Sequence, residues 1–229
     1  MNKKKALIIG ASGLIGSNLI QLLLNDDHIA AVRSLVRKPS GIKHPKLEEI
    51  AIDFNNMEAF EKNIGSGDFI FSCIGTTMKK VKGNKQLYRS IDFDIPVNAA
   101  RFGIKAGYQK FLLVSAHMAN AKSNIFYSRL KGETEDIIST FHFSSIHIFR
   151  PSFLIGKRNE KRWIEMFFGK LMEKISFLLP SSSKPIAAEK VALAMLKASL
   201  NKNDGICYYQ YKEIINIIKE NQTNPKMII

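Results

Sequence analysis

The chain has 229 residues, of which 45% are apolar, 24% charged and 10% aromatic, with 7 Pro and 14 Gly; this is a globular composition with enough apolar residue for a substantial core, and it excludes fibrous and low-complexity chains. Two cysteines, Cys73 and Cys207, exclude a disulfide framework and a CxxC metal site, and point to a reducing, cytoplasmic compartment. The formal charge of +14 is spread evenly, with 17 basic and 10 acidic residues up to Ser115 and the same numbers after it, so it reads as a solvated lysine-rich surface and names no specific nucleic-acid partner.

Lys3-Lys4-Lys5 followed by an apolar run has the outline of a signal peptide. Gly10, Gly13 and Gly16 break the apolar region, however, and no small-residue cleavage site follows, so residues 6–10 read as a first buried strand. A helix is predicted over 14–24, with its apolar face at Leu14, Ile15, Leu19, Leu22 and Leu23. Strands follow at 30–36 and 47–52, a short helix at 56–63 and a fourth strand at 69–74. A long helix is expected over 86–106, bent near Pro96 and stopped by Gly107. The remaining expectations are a fifth strand at 111–115, a helix at 125–140 and a sixth strand at 145–149. The alternation of strand and helix, with buried strands lacking strict polarity alternation, predicts an α/β fold: a doubly wound parallel sheet covered on both faces.

After Arg150 come an amphipathic segment at 163–179, a helix at 187–199, a short aromatic strand at 207–211 and a last helix. The amphipathic segment reads as a cover for a pocket or a partner subunit, and no apolar run reaches the length of a membrane span. With no linker or internal repeat, residues 1–229 are expected to form one domain, with 151–229 as a small C-terminal, substrate-side lobe. Its exposed apolar helices are compatible with a homodimer.

The first strand ends in Gly10-Ala11-Ser12-Gly13-Leu14-Ile15-Gly16 and a helix follows at once. Such a turn lets backbone N–H groups and a positive helix terminus face a pyrophosphate, with glycine wherever a side chain would block the phosphate or the helix–strand contact. The end of the second strand carries Arg37 and Lys38 where a carboxylate would favour NAD(H). Arg37 can grip a 2′-phosphate in a bidentate manner and stack on adenine, and Lys38 adds a second charge. The expected cofactor is therefore NADP(H), with NAD(H) as the lesser alternative. Ligands of open parallel sheets bind beyond the carboxyl ends of the strands. Gly10, Arg37, Asp53, the segment Cys73-Ile74-Gly75-Thr76, Ser115 and Pro151 follow strands one to six in turn. Tyr127 and Lys131, four apart on a helix, open just after strand five and share a helix face. Tyrosine ionises near pH ~10, and a lysine cation one turn away favours the phenolate.

The GxxGxxG turn and the YxxxK pair resemble the short-chain dehydrogenase/reductase superfamily, of Rossmann fold, in its atypical and extended branches. The resemblance implies a carbonyl-binding serine at Ser115, a tyrosine acid at Tyr127 and a lysine at Lys131 that holds the nicotinamide ribose. It also implies an adenine contact at Asp53 and, from Arg150-Pro151 and the following Gly156, a proline at 151 backing the nicotinamide. Many members carry Asn in the helix after strand four, and the matching residue here is Asp92, a carboxylate able to organise water. Ile74-Gly75-Thr76-Thr77, Tyr127-xxx-Lys131-Gly132-xx-Glu135 and Phe149-Arg150-Pro151 are similar to the atypical branch of oxidoreductases resembling the Tat-interacting protein, over essentially the whole chain. The implied function is hydride transfer to or from a small carbonyl or alcohol substrate. The alternative is a non-catalytic NADPH-binding regulator. The Lys79–Lys85 stretch is equally a solvated loop or a meeting place for an anionic substrate. His117 reads as structural or solvated, and the five histidines have no metal-ligand spacing.

Overall fold

A computed structural model describes residues 3–156 and 184–220; the expected amphipathic segment at 163–179 and a basic cluster at 157–162 lie outside them. Strand β1 (Lys4–Ile9) runs through the centre of the protein, with Leu7, Ile8 and Ile9 fully buried. Ala6 and Ile8 enter one apolar layer, Leu7 and Ile9 the other. A strand covered on both faces has no solvated side, which explains the unbroken apolar run. Each such side chain contributes about 1.5–3 kcal/mol through burial.

Helix α1 (Leu14–Asn25), β2 (Ile29–Val36), β3 (Leu47–Ala51), α2 (Met57–Ile64) and β4 (Phe69–Ser72) follow. Asn56 caps α2, its side-chain oxygen accepting from the Ala59 amide at 3.0 Å. The single helix expected over 86–106 is three pieces: α3 (Lys85–Arg89), a π-helical turn over Ser90–Asp94, and α4 (Ile95–Lys105). Pro96 accounts for the widened turn. It has no N–H to give the Asp92 carbonyl four residues back, and its ring crowds that carbonyl. Helix α4 ends in a Schellman closure, with Gly107 at φ +83° and the Tyr108 amide reaching back to Gly103 O at 3.1 Å. Strand β5 (Lys110–Val114), α5 (Phe126–Ser139) and β6 (Ser145–Phe149) complete this half.

Two-residue strands β7 (Leu154–Ile155) and β8 (Ile186–Ala187) pair with each other in parallel. They lead to α6 (Ala188–Leu200), β9 (Gly205–Tyr209) and α7 (Tyr211–Glu220). The aromatic strand thus lies two residues earlier than expected. Glu213 accepts from the Gln210 amide at 3.0 Å, closing a helix start that takes Tyr211 out of the strand.

The seven strands stand in the order β3-β2-β1-β4-β5-β6-β9, and every pairing is parallel. Helices α1, α6 and α7 share the apolar layer on one face, while α2, α4 and α5 cover the other. The strands before β4 are added on one side of β1 and those from β4 onward on the other, so the order of winding reverses between the parallel neighbours β1 and β4. That reversal opens a crevice at the carboxyl ends of the strands, the ligand position in doubly wound sheets.

Candidate active site

The crevice begins at the turn after β1. Gly10 has φ +85°, and a Cβ there would lie 2.6 Å from the Cys73 carbonyl carbon. A Cβ on Gly16 would lie 2.1 Å from Gly10 O. Glycine at both positions lets α1 and the end of β4 close onto the turn. The Gly13 amide donates to Gly10 O at 3.0 Å, and Ser17 N to Gly13 O at 2.9 Å. Gly13 caps α1 without a side-chain bond, and the first turn holds no acidic residue. The amides of Leu14 and Ile15 therefore meet no carbonyl within the helix and carry its positive end. Leu14 and Ile15 turn their side chains into the apolar layer, and Ser12 is exposed. The cradle fits a dinucleotide pyrophosphate.

Arg37 and Lys38 follow β2, are exposed, and form no ion pair among the described residues. Asp53 follows β3, where its Oδ1 accepts from the Asn55 amide and side chain, both at 3.0 Å. One of its oxygens is thus committed to the local turn. The Cys73 amide extends the β1–β4 register by donating to Ile9 O at 2.8 Å, and burial pushes its thiol up to about 12, so it stays protonated. Ile74 and Thr76 are half-buried and Gly75 is exposed. The Thr76 amide donates to Asp92 Oδ2 at 2.8 Å, and Thr76 O accepts from the Tyr88 hydroxyl at 3.2 Å.

Tyr127 and Lys131 stand one turn apart at the start of α5. Tyr127 is 43% exposed at the rim, whereas the Lys131 side chain is only 8% exposed. Lys131 Nζ lies 2.9 Å from Asp92 Oδ1, whose side chain is 1% exposed. Burial, Asp92 and Tyr127 together push the neighbouring Tyr88 phenol up, so it remains a hydrogen-bond donor. The preceding loop is pinned to α5. A Cβ on Gly132 would lie 2.1 Å from Ala121 N, the Asn120 amide donates to Ser128 O at 2.9 Å, and Arg129 reaches Ser123 O at 2.9 Å.

Ser115 extends the β5–β6 register, its amide donating to Phe149 O at 2.7 Å. Its hydroxyl is buried and donates to Glu135. Glu135 is also gripped by Arg150, whose Nε lies 3.0 and 3.1 Å from the two carboxylate oxygens and whose Nη2 adds a further contact. This bonding holds the Arg150 guanidinium above its ordinary range. Arg150 also stacks over Tyr208 at 4.6 Å. Pro151 is buried, with its carbonyl accepting from the His117 amide at 3.0 Å. His117 Nδ1 is buried with no partner among the described residues.

Thus the glycine turn, Arg37, Asp53, Cys73–Thr76, Ser115 and Pro151 all follow carboxyl ends of adjacent strands. The motifs alone do not reveal that Asp92 pairs with Lys131, or that Glu135, itself held by Arg150, occupies the Ser115 hydroxyl. One signal for the latter was available: Tyr127, Lys131 and Glu135 form a single stripe at intervals of four on one helix. No group of three metal-ligating side chains occurs among the described residues.

A family model described as NAD(P)H-binding matches residues 10–142. The mitochondrial protein FMP52 of Coccidioides immitis is 30% identical over 174 residues, covering 71% of this chain and 70% of that protein. Protein HTATIP2 of Rattus norvegicus is 25% identical over 235 residues, covering 99% and 94%. Among solved structures, the Bordetella bronchiseptica enzyme WbmH in complex with NAD+ superposes with a TM-score of 0.70 at 18% identity, over all of this chain and 84% of that one, a likeness of fold. The cytoplasmic compartment expected from the cysteines is corrected by these relatives, since several FMP52 proteins are named mitochondrial. Few, unpaired cysteines suit any reducing compartment and do not single out the cytoplasm. By motif, fold and relatives alike, the chain belongs to the NAD(P)H-binding family and is similar to the atypical short-chain dehydrogenase/reductases resembling the Tat-interacting protein.

Proposed function

We propose that the chain is an NADP(H)-dependent oxidoreductase acting on a small carbonyl compound or alcohol. The observation that carries this reading is the rim-exposed Tyr127 one turn from the buried Lys131 ammonium, beside the loop after β4 that also borders the glycine cradle. A nicotinamide dinucleotide, when bound, supplies or accepts a hydride at its ring C4. The Leu14 and Ile15 amides bind the pyrophosphate, with Gly10, Ser12, Gly13 and Gly16 shaping the turn. Arg37 and Lys38 meet the 2′-phosphate, and their lack of an ion pair among the described residues supports NADP(H) over NAD(H). Asp53 would contact the adenosine end through its remaining carboxylate oxygen, and Cys73, Ile74, Gly75, Thr76 and Pro151 would border the nicotinamide.

In the reducing direction the Tyr127 hydroxyl gives its proton to the substrate carbonyl oxygen. An ammonium has three donors, so Lys131 can hold the ribose hydroxyls while one N–H stays on Asp92. Ser115 has one hydroxyl proton, and it points at Glu135. Donation from Ser115 to a developing oxyanion requires that bond to open. The same engagement favours a second reading, an NADPH-binding regulator without turnover.

One experiment separates the two. The purified chain and Tyr127→Phe are assayed for NADPH oxidation against a panel of carbonyls, with NADPH affinity measured by calorimetry. The enzyme reading expects turnover that falls about 100-fold or more in the variant, with affinity changed less than about twofold. Tight binding without turnover across the panel supports the regulator, and full activity of Tyr127→Phe ends the tyrosine's role.

A further inference from the structure

The crossover from β2 to β3 is built without a helix. Residues 37–43 are all exposed, so no buried apolar side chain holds them in place. Two fixed points bracket the cationic pair at the start of this loop. Before Arg37, Val36 is buried at the end of β2 and its carbonyl accepts from the Ile52 amide at 2.9 Å. After Lys38 and Pro39, the Ser40 amide donates to Glu49 Oε2 at 2.9 Å, and Ser40 Oγ accepts from the Ile42 amide at 3.2 Å. Arg37, Lys38 and Pro39 thus span the gap between a strand end and a carboxylate on β3, at most about 14 Å of extended chain. Pro39 locks its own φ and biases Lys38 toward the extended region, which leaves the span few conformations. Glu49 itself is aimed by the sheet. It is the register partner of Ser34, two residues before the end of β2, and the two side chains leave the same face. Ser34 Oγ and Glu49 Oε1 are both buried, and neither has a hydrogen-bond partner among the described residues. A buried oxygen left unpaired is costly and calls for a reason. The carboxylate stays there with its other oxygen on the loop, and none of the cofactor contacts described above uses it.

We propose that Glu49 is a positioning residue for the 2′-phosphate site: by holding the Ser40 amide it fixes the loop that presents Arg37 and Lys38, and so sets the preference for NADP(H) over NAD(H). This rests on the NADP(H) reading for the phosphate contact itself. A planar guanidinium grips a phosphate with two parallel bonds only when its fork is correctly turned. An exposed loop already held at both ends has less freedom to lose when it binds. NADH presents no phosphate there, so the tie leaves NADH affinity alone. The sign of the effect is diagnostic. Coulomb's law alone predicts that removing a carboxylate near a phosphate tightens NADPH, whereas loss of positioning weakens it.

The test is calorimetric titration with NADPH and with NADH, for the full unsubstituted chain, Glu49→Ala, Glu49→Gln and Arg37→Ala. Glu49→Ala is expected to raise the NADPH Kd by about three- to tenfold while NADH stays within about twofold. Glu49→Gln keeps a side-chain oxygen that can accept from Ser40, and its NADPH Kd is expected to stay within about twofold of the unsubstituted chain. A preference for NADPH over NADH in Glu49→Ala that is unchanged or increased overturns the proposal, and so does an equal loss in Glu49→Ala and Glu49→Gln. If Arg37→Ala loses the preference and Glu49→Ala does not, the NADP(H) reading stands and the Glu49 proposal alone falls. If neither variant changes the preference, the NADP(H) reading fails and takes the proposal with it. If Glu49→Ala melts below the temperature of the titration, Ser40→Pro, which removes the donating amide from the exposed side of the same bond, decides by the same change in preference.

Discussion

Replacing Gly16 by Ala asks whether the turn after β1 is a fitted cradle or a loose link. The added methyl would stand 2.1 Å from Gly10 O, 2.8 Å from Gly10 C and 3.0 Å from Ala11 Cα. All three are backbone atoms, so no side chain can swing aside. Reaching ordinary contact means opening the closest approach from 2.1 to at least 3.4 Å, which lifts the first turn of α1 off the strand. Overpacking of this kind costs about 1–3 kcal/mol. The better helix propensity of Ala returns at most about 1 kcal/mol. A net loss of about 1–2 kcal/mol lowers the melting temperature by roughly 2–8 °C in a chain of this size. The effect on cofactor is larger, because the Leu14 and Ile15 amides move with the helix. Losing one charge-assisted bond of about 1.5–3 kcal/mol raises the NADPH Kd by about 10- to 100-fold. Gly13→Ala is the internal control for stability. Its methyl would meet Gly10 O at 3.2 Å, slightly inside ordinary contact, and Cys73 O at 3.6 Å, so the melting temperature should fall by less than in Gly16→Ala. Thermal melts without cofactor and calorimetric titration with NADPH read both quantities. Unchanged melting and unchanged affinity in Gly16→Ala refute the close-packed cradle.

Arg37→Ala should weaken NADPH binding by about tenfold or more while leaving NADH within about twofold, since only one of the two presents a 2′-phosphate; equal losses for both cofactors in calorimetry remove Arg37 from the phosphate site. Far from the crevice, His147 is buried with Nδ1 2.8 Å from the Tyr209 hydroxyl and Nε2 3.2 Å from Ser145 Oγ, and burial together with Lys110 pushes it down to about 4. Because the folded value lies below the unfolded one of about 6.5, this neutral histidine's contribution is complete above about pH 6.5 and is lost as pH falls from there through about 4. The loss is roughly 3 kcal/mol at most. Urea unfolding at pH 7, 5.5 and 4.5 measures it, and the slope should flatten in His147→Gln; an identical slope in that variant places the acid sensitivity elsewhere.

Much of the frame is legible before any coordinates. Strand β6 falls at 145–149 as expected, and α5 within one residue at each end, because apolar period and flanking polar residues report burial directly. The turn from Gly10 to Gly16 is legible because steric exclusion leaves only glycine there. Charge pairing is another matter. Asp92 and Lys131 are 39 residues apart, and neither residue type says which charge it will meet. The two-residue strands β7 and β8 are too short to leave a period. The engagement of Ser115 by Glu135 shows the same limit at closer range: a serine at a strand end reads as a free donor until the helix alongside proves to carry a buried carboxylate.

Gly132 has a consequence for how the pocket mouth can change over evolution. With the Asn120–Ala121 peptide resting on the bare backbone of α5, the base of the 116–125 loop is riveted to the helix that carries Tyr127. New length or bulk can enter at exposed positions of the loop such as Lys122 and Asn124 without disturbing that contact. Variation of the loop is thereby separated from the helix that carries Tyr127 and Lys131.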